Sequence, residues 1–135
     1  MTLERIKDIY GDFEKALQRL QEALNEDGSK GSIVVDGTIQ RFEFTFELAW
    51  KLTKAILEHN GIEVDTPRLV VKEAFRSEMI EDGQGWIDML EDRNKTPHIY
   101  DEKQALEIYK KIKQAHFVLL KTLGKDIKEQ IKKLQ

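Results

Sequence analysis

The stretch from Val34 to His59 constrains the fold more than any other, because it is apolar on two sides at helical spacing. Over a short window, Phe42, Phe44, Phe46, Leu48 and Trp50 alternate with other residues, which reads as a strand. Plotted at about 100° per residue, however, Glu43, Glu47, Lys51, Lys54 and Glu58 fall on one narrow polar stripe. Ile39, Phe42, Phe46, Ala49, Trp50, Thr53, Ile56 and Leu57 fill one apolar sector, and Phe44, Leu48, Leu52 and Ala55 fill another. The pattern outlasts any ordinary strand, so it predicts a helix from Val34 to His59 with Gly61 at its C-terminal cap. A helix apolar on two sectors needs cover on two sides, from its own bundle and from a second subunit.

The flanking segments support an all-α chain. Leu3, Ile6, Tyr10, Phe13, Leu17, Leu20 and Leu24 recur at steps of three and four, predicting a helix over Thr2–Asn25. Asn25 to Ser32, with two glycines and small polar residues, ends it in a loop. Thr66-Pro67 is a capping hydroxyl followed by proline at the first helical position, and starts a short helix reaching Met79. Glu81-Asp82-Gly83-Gln84-Gly85 breaks the chain, and Trp86–Arg93 forms another short helix. Asp101 caps the last helix, whose expected stripe is Ala105, Ile108, Ile112, Ala115, Leu119, Leu123, Ile127, Ile131 and Leu134. Lysines at 125, 128, 132 and 133 suit the negative end of that helix dipole. The expected architecture is an antiparallel bundle of four to five helices forming one domain over residues 1–135.

Composition limits the function classes. The chain is 40% hydrophobic and 35% charged, as expected for a soluble globular protein. The absence of cysteine excludes disulfides and thiolate metal sites. No apolar run is long enough to span a bilayer, and Met1–Arg5 enters an amphipathic pattern without the apolar stretch of a signal peptide, so a cytoplasmic location without membrane contact is expected. A net charge of −3 argues against a broad non-specific nucleic-acid surface, yet permits a small basic pocket that acts on one phosphate.

Three histidines narrow the search for chemistry. His59 precedes the Asn60-Gly61 stop and reads as a helix C-terminal residue, and His116 as a packing or surface residue. The His-x-x-x-His and Glu-x-x-His spacings of a metal site on one helix face are missing, and neither a metal nor a cofactor is expected. His98 sits in a proline-containing connection, five residues after Arg93, with Asn94, Lys95 and Thr96 between them as candidate phosphate or substrate contacts. Arginine offers a fixed cationic fork for phosphate, and neutral histidine can accept a proton near pH 7. Together they could cleave a ribose-phosphate backbone, His98 taking the 2′-hydroxyl proton and Arg93 neutralising the scissile phosphate. The spacing alone is not distinctive. The same residues also fit a structural reading, with Arg93 paired to a carboxylate such as Asp92 or Asp101 and His98 capping a helix.

The wider context is more specific. Arg93-x4-His98-x-Tyr100 resembles the R-x4-H-x-Y signature of the HEPN toxins that pair with minimal nucleotidyltransferases. The stretches Ile39–Lys51, Lys72–Arg76 and Trp86–Asn94 are similar to the branch known as nucleotidyltransferase substrate-binding proteins, and the similarity covers nearly the whole chain. The resemblance implies a helical-bundle homodimer encoded beside a minimal nucleotidyltransferase. It implies that Arg93 and His98 motifs of both subunits meet in a cleft and cut RNA without metal. It further implies that the partner silences the toxin by AMP transfer to Tyr100, where bulk and negative charge would block an RNA phosphate. Two other readings stay open: a non-catalytic subunit that presents a substrate to the nucleotidyltransferase, and a structural helical dimer without an active site.

Overall fold

The computed structural model describes residues 2–135; Met1 lies outside the described residues. All regular structure among them is helical: α1 (Leu3–Asn25), α2 (Ser32–His59), α3 (Pro67–Arg76), α4 (Gly83–Lys95), α5 (Glu102–Lys111) and α6 (Phe117–Leu134). A short 3-10 turn, Gly28–Lys30, joins α1 to α2, and another, Thr96–His98, follows α4. Between α5 and α6 the backbone never leaves the helical region; Ile112–His116 is a π segment, so the two run as one long interrupted helix.

Each start and stop has a local cause. Thr2, Thr66, Asp82 and Asp101 accept hydrogen bonds from the backbone N–H groups of Arg5, Leu69, Gly85 and Gln104, capping α1, α3, α4 and α5. Asp82 brings α4 forward to Gly83, where the glycines had suggested a break before Trp86. At the end of α2, Ile62 N–H donates to Leu57 and Gly61 N–H to Glu58, with Gly61 at φ +86. That is the Schellman closure anticipated for Gly61. The same pair of bonds, Met79 to Ala74 and Glu78 to Phe75, ends α3 at Arg76 rather than Met79. Here the left-handed position is taken by Glu78 at φ +61, a strained choice for a residue with a Cβ.

The core gathers on α2. Phe42, Phe46, Ala49, Leu52, Ala55, Ile56 and Leu57 are fully buried, together with Ile6, Phe13 and Leu20 of α1 and Leu120 and Ile127 of α6. Helices α1 and α2 run antiparallel: Arg41 bonds the Arg19 carbonyl, and Thr45, one turn further on, bonds the Ala16 carbonyl. Buried Thr38, Thr45 and Thr53 also donate to carbonyls four residues back, so none leaves an unsatisfied hydroxyl. The Phe46 ring lies 6.2 Å from Trp86 of α4 and 6.3 Å from Phe42. Of the second apolar sector of α2, Leu52 and Ala55 are buried and Leu48 half-buried, but Phe44 remains 64% exposed.

The last helix departs from the expected stripe. Ala115 is exposed and Leu119 only half-buried, whereas His116 and Leu120 are buried. His116 stands four residues after the buried Ile112 and Leu120 four after His116, helical steps that suit the core side as well as the three-residue step to Ala115; Ile112–His116 itself is wound as a π segment. Replacing Glu78 by Gly should relieve the left-handed strain and raise unfolding stability by about 0.5–1 kcal/mol in urea titration. An unchanged or lower midpoint would contradict this account of the α3 terminus.

Candidate functional site

Helix α4 ends by turning two consecutive side chains in different directions. Asp92 falls in the buried phase of Trp86 and Met89, and is itself only 1% exposed. Arg93, one residue later, leaves the core and reaches α2, where its guanidinium meets Glu47 at 2.5 Å. The partner is therefore neither Asp92 nor Asp101, but a carboxylate distant in the chain. Glu47 also accepts from the Trp50 indole at 3.1 Å and pairs with Lys51 at 3.3 Å. Its partial burial alone would raise its pKa, but hydrogen bonds from Trp50 and Lys51 and the charges of Arg93 and Lys51 outweigh that and hold it below the usual value. Glu47 is therefore ionised at neutral pH, an anchor for Arg93. A guanidinium has five N–H donors; Glu47 takes one and the Asn94 side-chain oxygen, at 3.3 Å, another. With its side chain 32% exposed, Arg93 keeps donors for a phosphate.

Beyond Lys95 the chain tightens into the 3-10 turn. Thr96 is buried, and its hydroxyl donates to the Arg93 carbonyl at 2.7 Å, closing the end of α4. Lys95 is exposed and lies 3.9 Å from Asp92. His98 is exposed, its Nδ1 3.3 Å from the Tyr100 hydroxyl, with the two rings edge-on at 6.4 Å. Tyr100 is 81% exposed, and its backbone N–H donates to the Gln104 side chain at 3.2 Å. The His98 alternative of a helix cap is not what this turn does: Asp101 caps α5.

Two depressions flank this segment. His98, Asp92, Lys95, Gln104, Glu107 and Lys111 line a cleft of about 270 Å³ with Ile99 and Ile108. Tyr100 instead stands at a groove of about 560 Å³ that runs between the starts of α2 and α5. Arg93 lines neither depression and makes no hydrogen bond to His98 among the described residues. Within this chain the two residues are thus held separately, Arg93 by α2 and His98 by the turn.

Beneath the cleft lies a feature hidden in the sequence. The His116 Nε2 is 2.6 Å from Asp92, its ring stacks on Phe42 at 5.5 Å, and only 2% of the residue is exposed. His116 is thus neither a surface residue nor simply a packing residue. Burial lowers its pKa below the ordinary 6.5 and outweighs the opposing pull of Asp92. The neutral tautomer with the proton on Nε2 fits the surroundings, because Nδ1 is buried with no hydrogen-bond partner. A second proton would bury an N–H without an acceptor. The charge on Asp92 is met instead by Lys111, whose Nζ lies 2.7 and 2.8 Å from its two oxygens. Neither Glu47 nor this Asp92–His116 pair was identified from the sequence. The available signals were an acidic residue in the buried phase of α4 and a histidine four residues after Ile112, in phase with Ile108 and Ile112.

The comparisons with known proteins agree with the fold. The family model described as "nucleotidyltransferase substrate binding protein like" matches residues 8–129. A curated relative named "probable ribonuclease HepT", from Haemophilus influenzae, is 33% identical over 84 residues, which are 58% of this chain and 58% of the relative. A Thermus thermophilus protein of known crystal structure superposes with a TM-score of 0.73 at 31% identity, over 88% of this chain and 98% of that one. A second solved structure, from Haemophilus influenzae and titled as the fold of a substrate-binding domain of a nucleotidyltransferase, gives 0.67 at 22% identity, covering 94% and 99%.

The lowered pKa of His116 has a definite consequence. The unfolded chain takes up a proton near the ordinary value of about 6.5 while the folded chain does not, so unfolding binds protons and stability falls as pH drops below that value. Thermal midpoints between pH 8 and 5.5 should decline in the wild type and flatten in His116→Gln. Parallel curves would remove His116 as the cause.

Proposed function

The chain belongs to the family of nucleotidyltransferase substrate-binding proteins, and from that premise we propose that it is a HEPN-type endoribonuclease subunit controlled by a minimal nucleotidyltransferase. The observation that carries this reading is the arrangement of Arg93, His98 and Tyr100: an exposed imidazole beside a phenol, and a guanidinium anchored with donors to spare. If the His98 Nδ1–H donates to the Tyr100 oxygen, Nε2 keeps its lone pair for the RNA 2′-hydroxyl. The 2′-oxygen then attacks the adjacent phosphorus, the bond to the 5′-oxygen breaks, and a 2′,3′-cyclic phosphate remains. The proton passes to His98, the leaving 5′-oxygen takes one from solvent, and Arg93 neutralises the charge that grows on the phosphoryl oxygens. Neither residue needs a metal for this step.

A second copy of the chain completes the arrangement. Ile33, Gly37, Gln40, Phe44 and Leu48 follow one another at helical steps along α2, and Ile33 and Phe44 are 87% and 64% exposed. Two exposed apolar side chains on one face of the central helix, with only Gly37 and Gln40 between them along that face, suit a two-fold contact. In that homodimer the Arg93 of one protomer serves the His98 turn of its partner, which fits their separation within a single chain. Phe44→Asp should convert a dimeric mass in light scattering to a monomeric one; a wild type that is already monomeric at micromolar concentration removes the composite cleft.

Tyr100 is the control point in this reading. Its oxygen attacks the α-phosphorus of ATP on the partner, the α–β bond breaks, pyrophosphate leaves, and the phenolic proton goes to solvent. The added AMP puts a negative charge beside His98 and obstructs the approach of RNA.

The family description favours a second reading, in which the same segment presents a substrate, or Tyr100 itself, to the partner without any cleavage. Expression without the partner separates the two. The wild type should arrest growth and cleave RNA in the presence of EDTA, and His98→Ala should reduce cleavage by roughly 10²–10⁴-fold. Harmless expression with intact RNA would leave the binding-subunit reading standing. Incubation with the partner and ATP should add one AMP to the peptide containing Tyr100, and none to Tyr100→Phe.

A further inference from the structure

The buried Asp92 and the half-exposed Lys111 belong to one device that the cleavage scheme above does not use. A carboxylate that is 1% exposed needs a cation, and His116, held neutral, supplies only a hydrogen bond. The cation comes from the solvent side instead. Lys111 spans both oxygens of Asp92, yet its side chain is 50% exposed and lines the cleft that holds His98. Its ammonium has three donors, and its one hydrogen bond to Asp92 does not exhaust them. Lys95, at 3.9 Å, is a second ammonium near the same carboxylate. Glu107 stands exposed on the same wall, so the cleft carries no formal excess of positive charge. Recognition here must come from where the ammonium is held, not from a broad attractive field.

We propose that Lys111 is a further substrate-contacting residue of this site, binding an RNA phosphate next to His98, and that the buried Asp92–His116 pair positions it. His116 closes the π segment that follows Lys111 and faces the core, four residues after the buried Ile112. Lys111, Lys95 and the His98 imidazole line the same depression, so a phosphate held by the two ammonium groups lies in the cleft that His98 faces. This proposal rests on the ribonuclease reading.

The test uses the His98→Ala protein, so that RNA survives, and a fluorescein-labelled single-stranded RNA copied from a cut site mapped in the expression assay. Absence of any cleavage in that assay would already remove the ribonuclease reading, and this one with it. Affinity is then measured by anisotropy across a salt series. Adding Lys111→Ala should weaken binding about fivefold at 0.1 M salt and reduce the slope of log affinity against log salt by about 0.7, the loss of one phosphate contact on a single strand. Lys111→Arg should keep the slope, and Lys128→Ala, on the far part of α6, should leave both quantities unchanged. Because Lys111→Ala strands a buried charge, Asp92→Asn is combined with it; this pair restores folding, checked by circular dichroism, but should not recover binding. An unchanged slope in Lys111→Ala, or recovered binding in the double variant, overturns the proposal: Lys111 would then act only by stabilising α4.

Discussion

A buried carboxylate governs how the end of α4 meets the rest of the bundle. Asp92 has lost nearly all contact with water, and an ionised group in that position is tolerated only when its partners are fixed. The partners come from the last helix: a hydrogen bond from His116 and the ammonium of Lys111. His116 follows the buried Ile112 by four residues, an ordinary helical step, and so faces the core from the π segment that joins α5 to α6. Side chains that look unrelated in the chain thus answer one requirement. Phe42 of α2 closes the arrangement by stacking on the imidazole.

The exposed chemistry is built on that anchorage. With Asp92 turned inward, Arg93 must leave α4 toward α2, where Glu47 receives it. Thr96 then ties the 3-10 turn to the Arg93 carbonyl, so that His98 and Tyr100 emerge on short, supported backbone rather than on a loose loop. Glu47 is itself held ionised by Trp50, Lys51 and Arg93 despite its partial burial. The consequence is a candidate site in two halves, a guanidinium on one side and an imidazole–phenol pair on the other. No helix among the described residues is long and apolar enough to cross a membrane.

Much of the fold could be read from local patterns. The caps at Thr2, Thr66 and Asp101, the Gly61 closure and the two-sided character of α2 depend on residues only a few positions apart, and sequence displays such spacings directly. The errors have physical causes as well. Asp82 could cap α4 across glycines that suggested a break, and Glu78 accepted a left-handed conformation that ended α3 early. The exchange of Ala115 and Leu119 for His116 and Leu120 on the core side was not decided by spacing, because steps of three and four residues are both helical and only packing chooses between them.

By itself, then, the sequence determined the helices, their apolar faces and the short segment that carries Arg93, His98 and Tyr100, since each rests on local propensity or periodicity. Tertiary structure alone decided who meets whom. Arg93 finds Glu47 across 46 positions and Asp92 finds His116 across 24, and these pairings follow from how α2, α4 and the last helix pack. A salt bridge between distant helices leaves no periodic trace in a chain. Its energy depends on burial, and burial exists only once the bundle has formed.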